Sequence, residues 1–187
     1  MSVKITNNIL EDTDYLNFLV EQTEGDEFPW YYIPTSAHYD DKDNGWQFSF
    51  YHMLVEDGDF KRSNMSPIFE KLINECVKKS GYNNMKVDRA RLGLFTRTES
   101  KKVQIPHVDK IEDHKTIVYY LNNSDGDTYF YGKRNGNEEL DNYYVKDTST
   151  FKQNSMVSFD GNILHSSSSP LYHNVRIALN INLLWLI

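Results

Sequence analysis

The sequence predicts a mainly β domain with flanking helices, a β-sandwich or jelly roll. Three observations predict it. After Gly81 the chain breaks into short apolar segments separated by Asp-Gly, Gly-Asn and Asn-Gly turns, the spacing of an antiparallel all-β unit. Helical periodicity is confined to the part before Gly81. The 13 Tyr, 10 Phe and 3 Trp favour strands and large packed side chains.

Taken in order, residues 3–24 read as a polar linker followed by a helix. Leu16, Leu19 and Val20 share a face of that helix, and Asp12 can cap it. Phe28 to Pro34 is bounded by prolines and rich in β-formers, an edge strand. Residues 36–45 are a polar loop. From Trp46 to Val55, Trp46, Phe48 and Phe50 alternate with polar residues as on a strand, which Asp57-Gly58-Asp59 ends. A second helix follows, with Ser66 as cap and Pro67 in the first helical position. Phe69, Leu72, Ile73, Cys76 and Val77 repeat at helical spacing, Lys78 and Lys79 suit the negative end of the dipole, and Gly81 stops it. Cys76 is a core residue on that face.

The strands expected after it are Lys86–Phe95, Val103–Asp109, Lys115–Leu121, Thr128–Tyr131, Tyr143–Val145, Met156–Phe159 and Val175–Leu186. Residues 132–142 read as an insertion between strands. The length of 187 residues suits one domain, with residues 1–82 as helical and strand support and 83–187 as the jelly-roll core.

Composition limits the functions. No apolar run reaches the roughly 20 residues that span a bilayer, which argues against a membrane protein. Met1-Ser2-Val3-Lys4 has no apolar signal segment, and the single cysteine fits a reducing compartment, so a cytoplasmic location is expected. The net charge of −7 disfavours nucleic acid as a partner.

The chemistry-bearing residues lie between His107 and Arg176. On a strand, His107 and Asp109 point to one face and Val108 to the other, which sets an imidazole beside a carboxylate. With one more histidine this is the 2-His-1-carboxylate set of non-haem iron(II) oxygenases, which leaves positions open for co-substrate and O₂. His165 fits best as the third ligand, since it follows an apolar strand and the turn Asp160-Gly161-Asn162 and stands eleven residues before Arg176. His173 lies in a turn with little reach, and His114 sits in the charged run Glu112-Asp113-His114-Lys115, solvated or near the site mouth. His38 reads as a surface-loop residue and His52 as a satisfied strand histidine. Arg176 opens an apolar strand, where a charge is costly unless paired. Its partner is either an internal carboxylate or a ligand carboxylate held in a planar bidentate contact.

Together, Pro-His-Val-Asp at 106–109, Tyr-Tyr-Leu-Asn at 119–122, Asp-Gly-Asp-Thr at 125–128, Phe-Asp-Gly at 159–161, His165 and Arg176 resemble the prolyl-4-hydroxylase-like branch of the Fe(II)/2-oxoglutarate-dependent oxygenases, especially its small single-domain bacterial and phage members. The resemblance covers about residues 86–187. It implies a double-stranded β-helix packed against N-terminal helices, with iron held by His107, Asp109 and His165. It implies that Arg176 binds the C5 carboxylate of 2-oxoglutarate, that Tyr120 hydrogen-bonds the same group, and that Tyr119 faces away. The implied cofactors are Fe(II), 2-oxoglutarate and O₂, with ascorbate as a further candidate. The implied activity is oxidative decarboxylation of 2-oxoglutarate coupled to hydroxylation of an organic substrate: a prolyl or other peptidyl residue, a free amino acid or a small metabolite.

Two positions depart from the family pattern. Ala178 stands where many relatives carry Ser or Thr, and Arg91-Leu92-Gly93-Leu94-Phe95 stands where relatives often contact the C1 end of 2-oxoglutarate, leaving Arg91 as a candidate for that end. Asp109 argues against a halogenase. The rival readings are an iron oxygenase that ligates its substrate without 2-oxoglutarate, a cupin-like metal isomerase or dioxygenase, and a non-catalytic jelly-roll binding module.

Overall fold

The computed structural model describes residues 3–34, 48–133 and 143–186. Its elements run β1 (Val3–Asn7), α1 (Thr13–Glu24), β2 (Tyr31–Ile33), β3 (Ser49–Val55), α2 (Ser66–Ser80), β4 (Met85–Thr96), β5 (Lys115–Tyr120), β6 (Thr128–Lys133), β7 (Tyr143–Ser149), β8 (Ser155–Asp160), β9 (His165–Ser167) and β10 (Val175–Trp185). A large antiparallel sheet has the order β1-β8-β5-β10-β4-β3-β2, and a small one the order β7-β6-β9. The two sheets pack face to face through Val118, Tyr120, Val157, Phe159 and Ala178 on the large sheet and Phe130 on the small one. This is a jelly roll, as the sequence predicts.

Side-chain alternation gives the large sheet two different faces. Ile177, Leu179, Ile181 and Leu183 of β10 join Leu92 and Leu94 of β4 and Ile117 and Tyr119 of β5. Together they pack against Leu16 and Leu19 of α1 and Phe69, Leu72, Ile73 and Cys76 of α2. Arg176, Ala178 and Asn180, the alternate residues of β10, line a cavity between the sheets. Burial raises the Cys76 thiol far above its ordinary pKa, so this cysteine is an inert core residue.

Several local expectations hold. Asp12 caps α1 by accepting from the Tyr15 amide at 3.0 Å. Gly81 ends α2 in the left-handed region at φ 86°. Tyr31–Ile33 is an edge strand.

Others change. Residues 3–7 are a strand, not a linker: Val3 and Ile5 alternate with Lys4 and Thr6 and pair with β8 at the sheet edge. Ser66 is the first residue of α2, not its cap, and its hydroxyl donates to the Leu54 carbonyl at 2.5 Å, tying the helix to β3. The expected strand 103–109 is reduced to isolated bridges at Val103–Ser168 and His107–His165. Pro106 has no amide to donate, so a continuous ladder cannot run through it. Gly132 and Lys133 extend β6 rather than opening an insertion. The loop 36–45, Trp46, His38 and residues 134–142 lie outside the described residues.

Candidate metal and carboxylate site

His107 and His165 sit opposite each other across their bridge. Each amide donates to the other's carbonyl, at 2.9 and 3.0 Å. Such a pair puts both side chains on one face, and the ring centroids are 4.8 Å apart. Each Nδ1 lies within hydrogen-bonding distance of the carbonyl two residues earlier, Ile105 at 3.1 Å for His107 and Ile163 at 2.9 Å for His165. That contact favours the tautomer with Nδ1 protonated and leaves both Nε2 atoms as lone-pair donors.

Asp109 completes the group. Its carboxylate oxygens lie 4.0 Å from His107 Nε2 and 3.8 Å from His165 Nε2. These separations are too long for hydrogen bonds, and the three donors surround a space that a metal ion would draw them around. The three ligand atoms lie within 4.8 Å of one another. Burial favours the neutral form of Asp109. His165, Arg89 and His107 outweigh it, helped by the Asn182 amide, and hold the carboxyl well below the usual range. Burial, reinforced by His165, pushes His107 down to about 4, so it is neutral at physiological pH, the form that ligates.

The supports of Asp109 were not read from the sequence. Asn180 and Asn182 donate their side-chain amides to Oδ2 at 3.0 Å each, Thr116 donates to it at 3.4 Å, and Arg89 lies 3.3 Å from Oδ1. The signal was present: two asparagines at alternate positions of an otherwise apolar strand must share its polar face.

Arg176 is 2% exposed. Its Nε donates to the Gly126 carbonyl at 2.7 Å and its Nη2 to Thr128 Oγ1 at 3.2 Å. Phe151, Phe95 and Tyr120 surround the guanidinium, 5.2, 5.7 and 6.0 Å from its carbon to the ring centroids. No carboxylate of the described residues forms an ion pair with it. Burial lowers its pKa to about 10, still charged at neutral pH. A Cβ on Gly126 would lie 2.6 Å from Arg176 Cδ and 2.6 Å from the Ser168 carbonyl, so only glycine lets the chain approach so closely. This explains the glycine in Asp125-Gly126-Asp127.

One cavity, about 680 Å³ with its open mouth, is lined by His107, Asp109, His165, Arg176, Arg91 and Asn180 among others. Tyr120 is buried beside Arg176, its ring 4.4 Å from Phe151 and its hydroxyl 3.5 Å from the Ser149 carbonyl. Tyr119 faces the helices, with its hydroxyl on Asn154. His52 is a buried strand histidine satisfied by the Pro29 carbonyl and Ser63. His173 is held by Asp125, away from the triad. His114 is buried rather than solvated: it closes onto Gly161, whose amide donates to its carbonyl at 2.8 Å.

No protein-family model matches the chain, and no curated protein is similar to it in sequence. Solved structures do share its fold. A 2OG-Fe(II) oxygenase family oxidoreductase from Burkholderia pseudomallei has a TM-score of 0.64 at 10% identity, covering 97% of this chain and 84% of its own. A Pseudomonas putida prolyl-4-hydroxylase has a TM-score of 0.59 at 9% identity, over 99% and 93%. HygX from Streptomyces hygroscopicus, solved with nickel and 2-oxoglutarate bound, has a TM-score of 0.63 at 9% identity, over 97% and 82%. The jelly roll of this chain is thus the fold of 2-oxoglutarate-dependent oxygenases. No helix among the described residues is long and apolar enough to cross a membrane.

Proposed function

We propose that this chain is an Fe(II)/2-oxoglutarate-dependent oxygenase that hydroxylates an organic substrate. A prolyl or other peptidyl residue, a free amino acid and a small metabolite are the substrate classes that fit. The observation that carries the reading is the pairing, in one cavity, of a His-Asp-His group with a buried arginine that forms no ion pair among the described residues. A mononuclear metal and a dicarboxylate are together the ligands that satisfy both halves.

The donor set fits iron(II): two imidazole nitrogens and one carboxylate leave part of the coordination sphere open. Bound there with 2-oxoglutarate, the iron supplies O₂ activation coupled to oxidative decarboxylation, and that chemistry belongs to the cofactor. The residues of the chain position it. Ile105 and Ile163 fix the histidine rings through Nδ1. Asn180, Asn182, Thr116 and Arg89 hold the aspartate and keep it ionised. Arg176 receives the distal carboxylate of 2-oxoglutarate, with Tyr120 beside it as a second donor to that carboxylate. Phe95 and Phe151 keep water from the arginine, which strengthens its grip on an anion.

The test is Fe(II)-dependent conversion of 2-oxoglutarate to succinate. The protein should turn it over with Fe(II), while His107→Ala and Asp109→Ala abolish turnover and remain folded by circular dichroism. Absence of turnover and of metal-dependent 2-oxoglutarate binding in the intact protein would sink the reading, and unchanged turnover in either variant would sink the ligand assignment.

A further inference from the structure

The cavity holds a second guanidinium besides that of Arg176. Arg91 of β4 lines it. Among the described residues it has no hydrogen bond and no ion pair; its electrostatic neighbours are Arg89, Asp109 and Tyr51. Burial and Arg89 push its pKa down, against the pull of Asp109 and Tyr51, so its charge is held without a committed partner. Asp109 attracts Arg91 but forms no ion pair with it; its contacts are to Asn180, Asn182, Thr116 and Arg89.

Strand register separates the two cavity arginines. Arg176 pairs with Phe95 and Asn180 with Arg91, so they lie four residues apart along the sheet, roughly 13 Å at about 3.3 Å per residue. Between them the floor is Ala178 paired with Gly93, flanked by Tyr120 on one side and Tyr51 on the other. A Cβ on Gly93 would meet nothing within 4 Å, so open space stands over this floor. Arg91 borders that space on the side of Asp109 and of β3.

Charge gives the space an occupant. Arg89 offsets Asp109 and Lys101 offsets Asp127. The two lining arginines with a divalent ion then carry four positive charges against the two negative ones of 2-oxoglutarate, and such an excess favours an anionic guest. We propose that Arg91 receives the carboxylate of the molecule to be oxidised, and that this molecule is a small organic acid seated over Gly93 beside Tyr51. The proposal rests on the oxygenase reading, in which 2-oxoglutarate occupies Arg176 and the metal.

The six arginines of the chain make side-chain Nε–Hε NMR practicable. The protein is loaded with diamagnetic Zn(II) in place of iron, and Arg91→Met and Arg176→Met identify the two signals. Saturating 2-oxoglutarate should move the Arg176 signal and leave the Arg91 environment open. Acetate, added next as the carboxylate probe, should then move the Arg91 signal saturably, whereas acetamide, its neutral isostere, should not. In the Arg91→Met variant the acetate affinity, followed on backbone amides of β3 and β4, should fall by about tenfold or more, as for loss of a charge-assisted hydrogen bond. If 2-oxoglutarate alone moves the Arg91 signal and acetate then adds nothing, Arg91 belongs to the co-substrate and the proposal is overturned. Equal responses to acetate and acetamide, a response to inorganic phosphate but not acetate, or no response to any of them also overturn it. Failure of 2-oxoglutarate to move the Arg176 signal overturns the oxygenase reading instead, so the two failures are distinguishable.

Discussion

The two faces of the large sheet share the same strands and differ in almost everything else. On β10, Ile177, Leu179, Ile181 and Leu183 face the helices and are buried with apolar neighbours. The alternate residues Arg176, Asn180 and Asn182 face the small sheet, where they are charged or hydrogen-bonded, the two asparagines to Asp109. The helix face is satisfied as it stands. The inner face holds polar groups whose partners are incomplete: Arg89 Nε, Asn180 Oδ1 and Asn182 Oδ1 have no hydrogen-bond partner among the described residues. A period of two therefore lets one strand supply stability on one side and chemistry on the other. Substitutions on the two faces should then separate folding from ligand binding.

Arg176→Met gives the largest separation. It should remove about 2–5 kcal/mol of 2-oxoglutarate affinity, the usual effect of truncating one partner of a buried charge pair. The metal-free protein should change in stability by only about 1 kcal/mol, because relief of a buried unpaired charge offsets the lost hydrogen bonds to Gly126 and Thr128. Calorimetric titration with 2-oxoglutarate and urea unfolding of the apoprotein measure the two quantities. Undiminished binding would mean that the inner face does not use this arginine for the co-substrate.

Leu179→Ala is the mirror experiment. It truncates a fully buried side chain in the helix-facing core, which should cost about 2–5 kcal/mol of stability. In urea titrations the midpoint should fall, while the affinity of the folded fraction for 2-oxoglutarate stays as in the parent. A tenfold loss of affinity would show that the two faces are coupled.

Of these two positions only Arg176 was legible, as a charge opening an apolar run. Which residues of that run face the helices shows only once the strand lies between the helices and the small sheet. What was not legible depends on chain segments far apart in sequence. His114 reads as solvated within Glu112-Asp113-His114-Lys115, and only the approach of Gly161 buries it. Val3–Asn7 reads as a linker because its partner β8 lies at the other end of the chain. His107 and Asp109 were paired on a strand that does not continue through Pro106. They still converge, because the His107–His165 bridge and the asparagines of β10 do the positioning that the strand was expected to do. Arg91 was noticed in the sequence, but that it forms no ion pair among the described residues becomes evident only with the cavity around it.

Gly126→Ala probes the inner face through backbone rather than charge. The added methyl would press on Arg176 Cδ and the Ser168 carbonyl at 2.6 Å. The arginine is packed by three rings and cannot retreat freely, so we expect a stability loss of about 1–3 kcal/mol. The Kd for 2-oxoglutarate should rise as the guanidinium is displaced. Wild-type affinity in this variant would mean that the loop, not the arginine, gives way.

Asp125→Asn tests how far the support of that arginine extends into the rim. Asp125 accepts from the amides of Leu171, Tyr172 and His173 at 2.9, 3.2 and 3.2 Å and contacts His173 Nδ1 at 2.9 Å. These bonds pin the turn before β10 to the residue next to Gly126. Burial raises the Asp125 pKa somewhat, but His173 and the three amides outweigh it and hold the carboxyl below its ordinary value. A depressed carboxylate contributes stability that is fully present above the unfolded pKa of about 3.9 and is lost as pH falls through the folded one. The site is partly exposed, and asparagine keeps one acceptor oxygen, so the expected loss at pH 7 is only about 0.5–1 kcal/mol. The difference between wild type and variant in urea unfolding should narrow as pH falls below about 4, because the wild-type carboxylate is then neutralised as well. A difference unchanged at pH 3 would assign the effect to hydrogen-bond geometry rather than to charge. A weaker grip on 2-oxoglutarate at pH 7 would carry the inner face's dependence out to the turn itself.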